Sequence, residues 1–329
     1  MTSAGLYCEA GGFHIDPCRR VATALVTHAH SDHFVRGCHE YVTSASGASV
    51  LAHRLPESSR IEAIPYARPR WFREVMVSFH PAGHVLGSAQ IRIEYRGEVW
   101  VVTGDCQLTP QPTCEPFQPI PCDHLVMEAT FGHPQFRWPT LEQVCAQIHS
   151  WWQRNQRRGY ISRLWAYAFG KAQRVLSLLD PHFGPIFITE TVASYTRYYE
   201  QQGIHFPPYR ICADDGANLT EEASWGLVIA SPHSRRGSRW QMRFPTRTAL
   251  VSGWSLVPEE LQRRGVGSGF PLSDHADHSD LKRIAELSQA RTLWITHGAY
   301  IDALVEEFRA EGRQAYPLHP PAHRSNHHE

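Results

Sequence analysis

The stretch Val26-Thr27-His28-Ala29-His30-Ser31-Asp32-His33-Phe34 sets three histidines and an aspartate within six residues, directly after an apolar run. In an extended backbone His28 and His30, two apart, share a face, and a turn after them can carry Asp32 and His33 to a second point. A polar surface turn is the alternative, yet these residue types are poor choices for a packed turn. Imidazole and carboxylate are ligands that zinc accepts, and paired metal sites, with ions about 3.5–4 Å apart, need donors arriving in two groups. The pattern predicts two adjacent cations held at the end of a strand.

The rest of the chain sets the frame. Its 329 residues can bury a large core, and 42% hydrophobic with 19% charged residues fits a soluble globular protein. No apolar run approaches the roughly 20 residues of a membrane span, and the opening MTSAGLYCEAGGFHID lacks the basic and apolar regions of a secretory signal. Eight cysteines without a C-x-x-C pair argue against a zinc ribbon and for a reducing cytoplasm. Short strands are predicted at 24–27, 75–80, 90–95, 99–103 and 125–128, rich in Val and Ile and ended by Gly, Pro, Asp or His. From Thr140 the period becomes helical, with Leu141, Val144, Ile148 and Trp151 or Trp152 on one face. Strand and helix then alternate, which suggests a small α/β unit with parallel pairing. The short-strand style returns in TALVSGW and TLWITHG. The expected organisation is one domain formed by 1–139 and 251–329, interrupted by a unit at 140–250, with the tail PPAHRSNHHE disordered.

Further donors stand at other predicted strand ends. His84 lies in HPAGHVLGSAQI between Gly83 and Gly87, whose lack of a Cβ permits close backbone approach, whereas His80 reads as structural. Asp105 follows VWVVTG, a position suited to a carboxylate that bridges two cations, and His297 ends TLWITHG.

Together these segments resemble a known family. VTHAHSDH, PAGHVLGSA and TGD resemble the metal motifs of the metallo-β-lactamase fold, and VMEATFG, PLSDHAD and ITHG resemble the extra motifs of its β-CASP nuclease branch, which includes the pre-mRNA 3′-end endonuclease. More narrowly, GLYCEAGGFHIDP and AYAFGKAQRVL resemble the bacterial DNA-ligase-associated exonucleases. The resemblance implies an α/β fold, an αββα sandwich with an inserted β-CASP cap. It implies that His28, His30 and His84 hold one zinc, Asp32, His33 and His297 a second, and Asp105 both, with manganese as an alternative metal. His275 matches the general acid and Glu128 its acidic partner, the nucleophile being a metal-bridging hydroxide. Asp16, in FHIDP, is placed either to orient a ligand histidine or simply to form a turn.

The implied activity is hydrolysis of phosphodiester bonds, in DNA ahead of RNA, by an exonuclease of DNA repair in functional association with an ATP-dependent DNA ligase. An RNA-processing exonuclease or endonuclease is the alternative, favoured by His297, since a histidine there is commoner in RNA-processing members. A small-molecule metallo-hydrolase ranks below both, because such enzymes need neither the cap nor the His275 and Glu128 pair. From Thr140 to Leu250 the chain carries 13 Lys and Arg against 8 Asp and Glu, leaving 19 against 24 elsewhere. A basic cap facing an acidic metal domain suits a nucleic acid strand, with Lys171, Arg174, Arg235, Arg236 and Arg239 as candidate contacts. GKAQ at 170–173 lacks the remaining residues of an ATP-binding loop, but offers a helix N-terminus to a phosphate.

Overall fold

The computed structural model describes residues 1–232 and 244–319 as a mixed α/β protein with three sheets. Contacts divide it into two compact units, one made of Met1–Arg137 and the chain from Asp274 onward, the other of Trp138–Ser273.

The first unit begins with β1 (Leu6–Cys8), β2 (Phe13–Ile15), β3 (Thr23–Leu25), β4 (Glu40–Ser44), α1 (Ala48–Arg54) and β5 (Ile61–Ile64), whose strands form a five-stranded sheet in sequence order. Next come β6 (Arg70–Phe72), β7 (Val75–Pro81), β8 (Ala89–Tyr95), β9 (Glu98–Val102) and β10 (His124–Met127).

The inserted unit supplies α2 (Leu141–Gln156), β11 (Ile161–Trp165), α3 (Lys171–Leu178), β12 (Ile186–Thr189), α4 (Glu190–Gln201), β13 (Arg210–Cys212), β14 (Leu227–Ala230), β15 (Thr246–Val251), α5 (Pro258–Arg263) and β16 (Ser268–Phe270). Its strands all pair in parallel, in the order β13-β12-β14-β11-β15-β16. Parallel pairing demands long crossovers, which α3 and α4 provide. Thr140 starts α2 through a reciprocal bond pair with Gln143, and the predicted face of Val144, Ile148, Trp151 and Trp152 is buried. The return to the first unit falls at 273/274, later than the expected 250/251. The reason is that β15 pairs with β11, and β16 with β15, so the TALV strand completes the inserted sheet.

Back in the first unit, α6 (His278–Leu287), β17 (Thr292–Ile295), α7 (Ile301–Ala310) and β18 (Gln314–Pro317) follow, giving a seven-stranded sheet ordered β18-β17-β10-β9-β8-β7-β6. Alternation along its strands covers both faces. Val102 and Val126 join Phe13, Leu25 and Val42 of the five-stranded sheet, while Val101, Leu125, Met127, Leu293 and Ile295 pack on Leu281 and Ile284 of α6 and Leu304 and Phe308 of α7. Sheet, sheet and helices thus form successive layers. His278 is buried at the start of α6 and bonds Glu307 at 2.6 Å. Among the described residues no helix is long and apolar enough to cross a membrane.

One acid in α6 makes the fold pH-sensitive. Burial, then the neighbouring Asp277 carboxylate, push Asp280 up to about 6. The unfolded chain ionises first as pH rises, so folding is penalised fully above pH 6 and not below the ordinary aspartate range. Asp280→Asn is expected to raise the melting temperature at pH 7.5 and to raise it much less near pH 4, by parallel thermal melts; an equal shift at both pH values would refute the assignment.

Candidate metal centre

Strands β9, β10 and β17 run parallel, so their C-terminal ends share one edge of the sheet. Asp105, Glu128 and His297 follow those ends, and loops after β3 and β7 deliver His28 to His33 and His84. Ligand sites at the carboxyl ends of parallel strands are the usual outcome of such topology. Strand β3 stops at Leu25, three residues before His28, so the pairing of His28 with His30 does not come from a continuing strand. It comes from the loop, in which the two ring nitrogens meet at 3.0 Å.

Gly83 and Gly87 do permit close approach. Both have φ of +75°, and a Cβ on Gly83 would lie 2.2 Å from the Gln107 carbonyl oxygen, one on Gly87 2.2 Å from Gly47 Cα.

The donors converge on Asp105, which is 3% exposed. His28 Nε2, His33 Nε2 and His84 Nε2 lie 3.4, 3.3 and 3.6 Å from its Oδ2, and His297 Nε2 lies 2.6 Å from its Oδ1. His30 Nδ1 stands 3.1 Å from His84 Nε2. Three groups of possible donors share Asp105: His28, His30 and His84 with it in one, His33 and His297 in the second, Glu128 and His275 in the third. Asp32 stays outside all three, its side chain 65% exposed and its Oδ2 3.7 Å from His33 Nε2.

The donor chemistry fits a cation. Thr27 Oγ1 donates to Asp16 Oδ2 at 2.6 Å and so accepts from His28 Nδ1 at 3.1 Å. His33 Nδ1 donates to Asp16 Oδ2 at 2.8 Å, and His84 Nδ1 to the Asp274 carbonyl at 2.9 Å. With Nδ1 committed as donor, each ring turns Nε2 toward Asp105, where a cation would take the place of a proton. Four tetrahedral donors at zinc distances lie about 3.3 Å from one another. In the first group four of the six spacings are 3.0 to 3.6 Å, and all lie within 4.8 Å.

Charge in the site is finely opposed. Burial pushes His28 well below its ordinary value, with the nearby His33 adding to the fall. Burial also works against a charged His33, but the Asp105, Asp32 and Asp16 carboxylates outweigh it and hold His33 well above. Burial would raise Asp105, yet His33, His275 and His28 hold it well below the usual carboxylate range. Beside this group, Glu128 is fully buried and accepts from Cys106 N at 2.8 Å and from His275 Nδ1 at 2.9 Å. His275 Nε2 is 3.9 Å from Asp105 Oδ2.

Asp16, at a φ of +43°, thus makes the contact to a histidine N–H that the orienting alternative requires. Thr27, which ties Asp16 to His28, escaped the sequence reading, its only mark being adjacency to His28. In the inserted unit Lys171 and Arg174 are both 2% exposed. Lys171 Nζ lies 4.9 Å over the Tyr167 ring and Arg174 donates to the Ser273 carbonyl, so neither presents its charge on an open surface in this conformation. Arg235, Arg236 and Arg239 lie outside the described residues.

No family model matches the chain. It is 32% identical over 321 residues to the probable DNA ligase of Opitutus terrae, a match covering 96% of this chain and 30% of that protein. The chain therefore spans less than a third of that relative. A shorter match, 31% over 128 residues, covers 38% of this chain and 15% of Endoribonuclease YSH1 of Gibberella zeae. Among solved structures, a protein of unknown function from Enterococcus faecalis V583 superposes with a TM-score of 0.56 at 13% identity, covering 83% of this chain and 74% of that one, a likeness of fold alone.

Asp16→Ala removes the acceptor for His33 Nδ1 and for Thr27. It is expected to weaken zinc binding by about 10- to 100-fold, read by competition with a chromophoric chelator; wild-type affinity in the variant would show that Asp16 only shapes a turn.

Proposed function

We propose that the chain is a zinc-dependent nuclease of the β-CASP branch of the metallo-β-lactamase fold, hydrolysing phosphodiester bonds in DNA, from an end, during repair. The observation that carries the reading is the pairing of an Asp105-centred donor cluster with the buried Glu128 and His275 dyad beside it. Small-molecule hydrolysis on such a donor set calls for no such dyad.

His28, His30 and His84 would hold one zinc, His33 and His297 the other, and Asp105 both. Asp32, near His33, would complete the second. When bound, the cations supply Lewis-acid activation of water and offset charge on the phosphoryl oxygens. The chain's own groups do the rest. Glu128, fixed by the Cys106 N–H, takes the Nδ1 proton of His275 into a hydrogen bond and so aims Nε2 at the site. From Nε2 a proton passes to the departing oxygen, which leaves as a hydroxyl rather than an alkoxide.

The match along nearly all of this chain to a protein named a probable DNA ligase favours DNA, and with it a DNA ligase as functional partner. The shorter match to a named endoribonuclease, together with His297, favours RNA as the second reading. Contacts to the strand from the basic segment with Arg235, Arg236 and Arg239 belong to the same proposal; those from Lys171 and Arg174 would require these buried groups to become exposed.

End-labelled single strands of DNA and RNA of one sequence, incubated with zinc-loaded protein and with Asp32→Ala as control, distinguish the readings. Stepwise shortening of DNA by the wild type alone is expected; preference for RNA would move the protein to RNA processing, and cleavage of neither would defeat the nuclease reading. His275→Ala is expected to keep its zinc and to lose about 100-fold in turnover. Loss of zinc from that variant would make His275 a ligand instead.

A further inference from the structure

We infer that the segment Cys106–Thr113, directly after Asp105, is a two-sided clamp in which Gln107 positions the His275 loop and Gln111 positions the His84 loop. The inference rests on the roles proposed above for His275 and His84.

The segment is fastened to both loops through its backbone. Gln107 N–H donates to the Ala82 carbonyl at 3.0 Å, and Ala276 N–H donates to the Cys106 carbonyl at 2.6 Å. The approach on the first side is so close that position 83 tolerates no Cβ. Two buried glutamines then reach past these contacts. Gln107, 1% exposed, donates from Nε2 to the carbonyl of His275 at 2.7 Å, while its Oε1 accepts from Thr109 N at 3.1 Å. Gln111, 8% exposed, donates from Nε2 to the carbonyls of Gly83 at 2.8 Å and His84 at 2.7 Å, and its Oε1 accepts from Thr113 Oγ1 at 3.1 Å.

Glutamine suits this task because one side chain carries two N–H donors and an acceptor. A buried carbonyl must find a donor, so each amide fixes where its loop's backbone sits. Two of the carbonyls held, those of His275 and His84, belong to the very residues whose rings face Asp105, and the third is that of Gly83 beside His84. Both glutamines are positioning residues, and their effects separate: one bears on proton delivery, the other on zinc affinity.

The test uses the full chain and near-isosteric variants that lose the amide, donor and acceptor alike, and keep the side chain's length. Zinc affinity is read by chelator competition. Cleavage of single-stranded DNA at saturating zinc is compared with hydrolysis of bis(p-nitrophenyl) phosphate, whose leaving group departs as an anion without a proton. Gln107→Met is expected to slow DNA cleavage by about tenfold and to leave zinc affinity and the aryl ester within about twofold. Gln111→Met is expected to weaken zinc binding by about tenfold and, once saturated, to cut DNA within about twofold of wild type. Wild-type behaviour of both variants overturns the clamp. So does a parallel loss of every property with the melting temperature, which marks a merely structural role. A wild type that binds no zinc or cuts no DNA overturns the underlying functional reading, a result distinct from either.

Discussion

The carboxylate of Asp105, buried among histidines, is the constraint on which the rest of the first unit depends. An ionised carboxylate taken out of water costs several kcal/mol unless opposite charge and hydrogen bonds replace the lost hydration. Here the replacement comes from four loops distant in sequence. His28 and His33 arrive after β3, His84 after β7, His275 before α6 and His297 after β17. Those loops meet because two sheets pack face to face and because β9, β10 and β17 end at one edge. Cations among the same donors would satisfy the lone pairs that the Nδ1 hydrogen bonds turn inward, so the acid that organises the fold is also the one that would hold the metal.

Much of this was legible in the sequence, for a physical reason. Histidine and aspartate packed into VTHAHSDH have few structural uses after an apolar strand, and the same holds for a carboxylate after VWVVTG. Convergence in space is what the chain order could not show, and six residues, His28, His30, His33, His84, Asp105 and His297, do converge. Asp32 looked equal to its neighbours in sequence, but its side chain faces solvent, because the loop that buries His33 turns it outward.

Other features were illegible because they depend on contacts rather than residue type. Gln107 and Gln111 lie in a loop with no period, and only the position of the carbonyls they meet gives them a task. Lysine and arginine read as surface residues, yet Lys171 and Arg174 are buried. The end of the inserted unit was misplaced because TALVSGW has the same short apolar style as the strands of the first unit; pairing with β11, which no local pattern reports, decides where it belongs.

Counting the metal tests the account most directly. Protein loaded with zinc, freed of excess and analysed by inductively coupled plasma mass spectrometry beside Asp105→Ala, should carry two zinc ions per chain, with the variant retaining less than one. A wild type that holds no zinc, or a variant that keeps the full wild-type amount, would contradict the claim that Asp105 is the shared centre of the site.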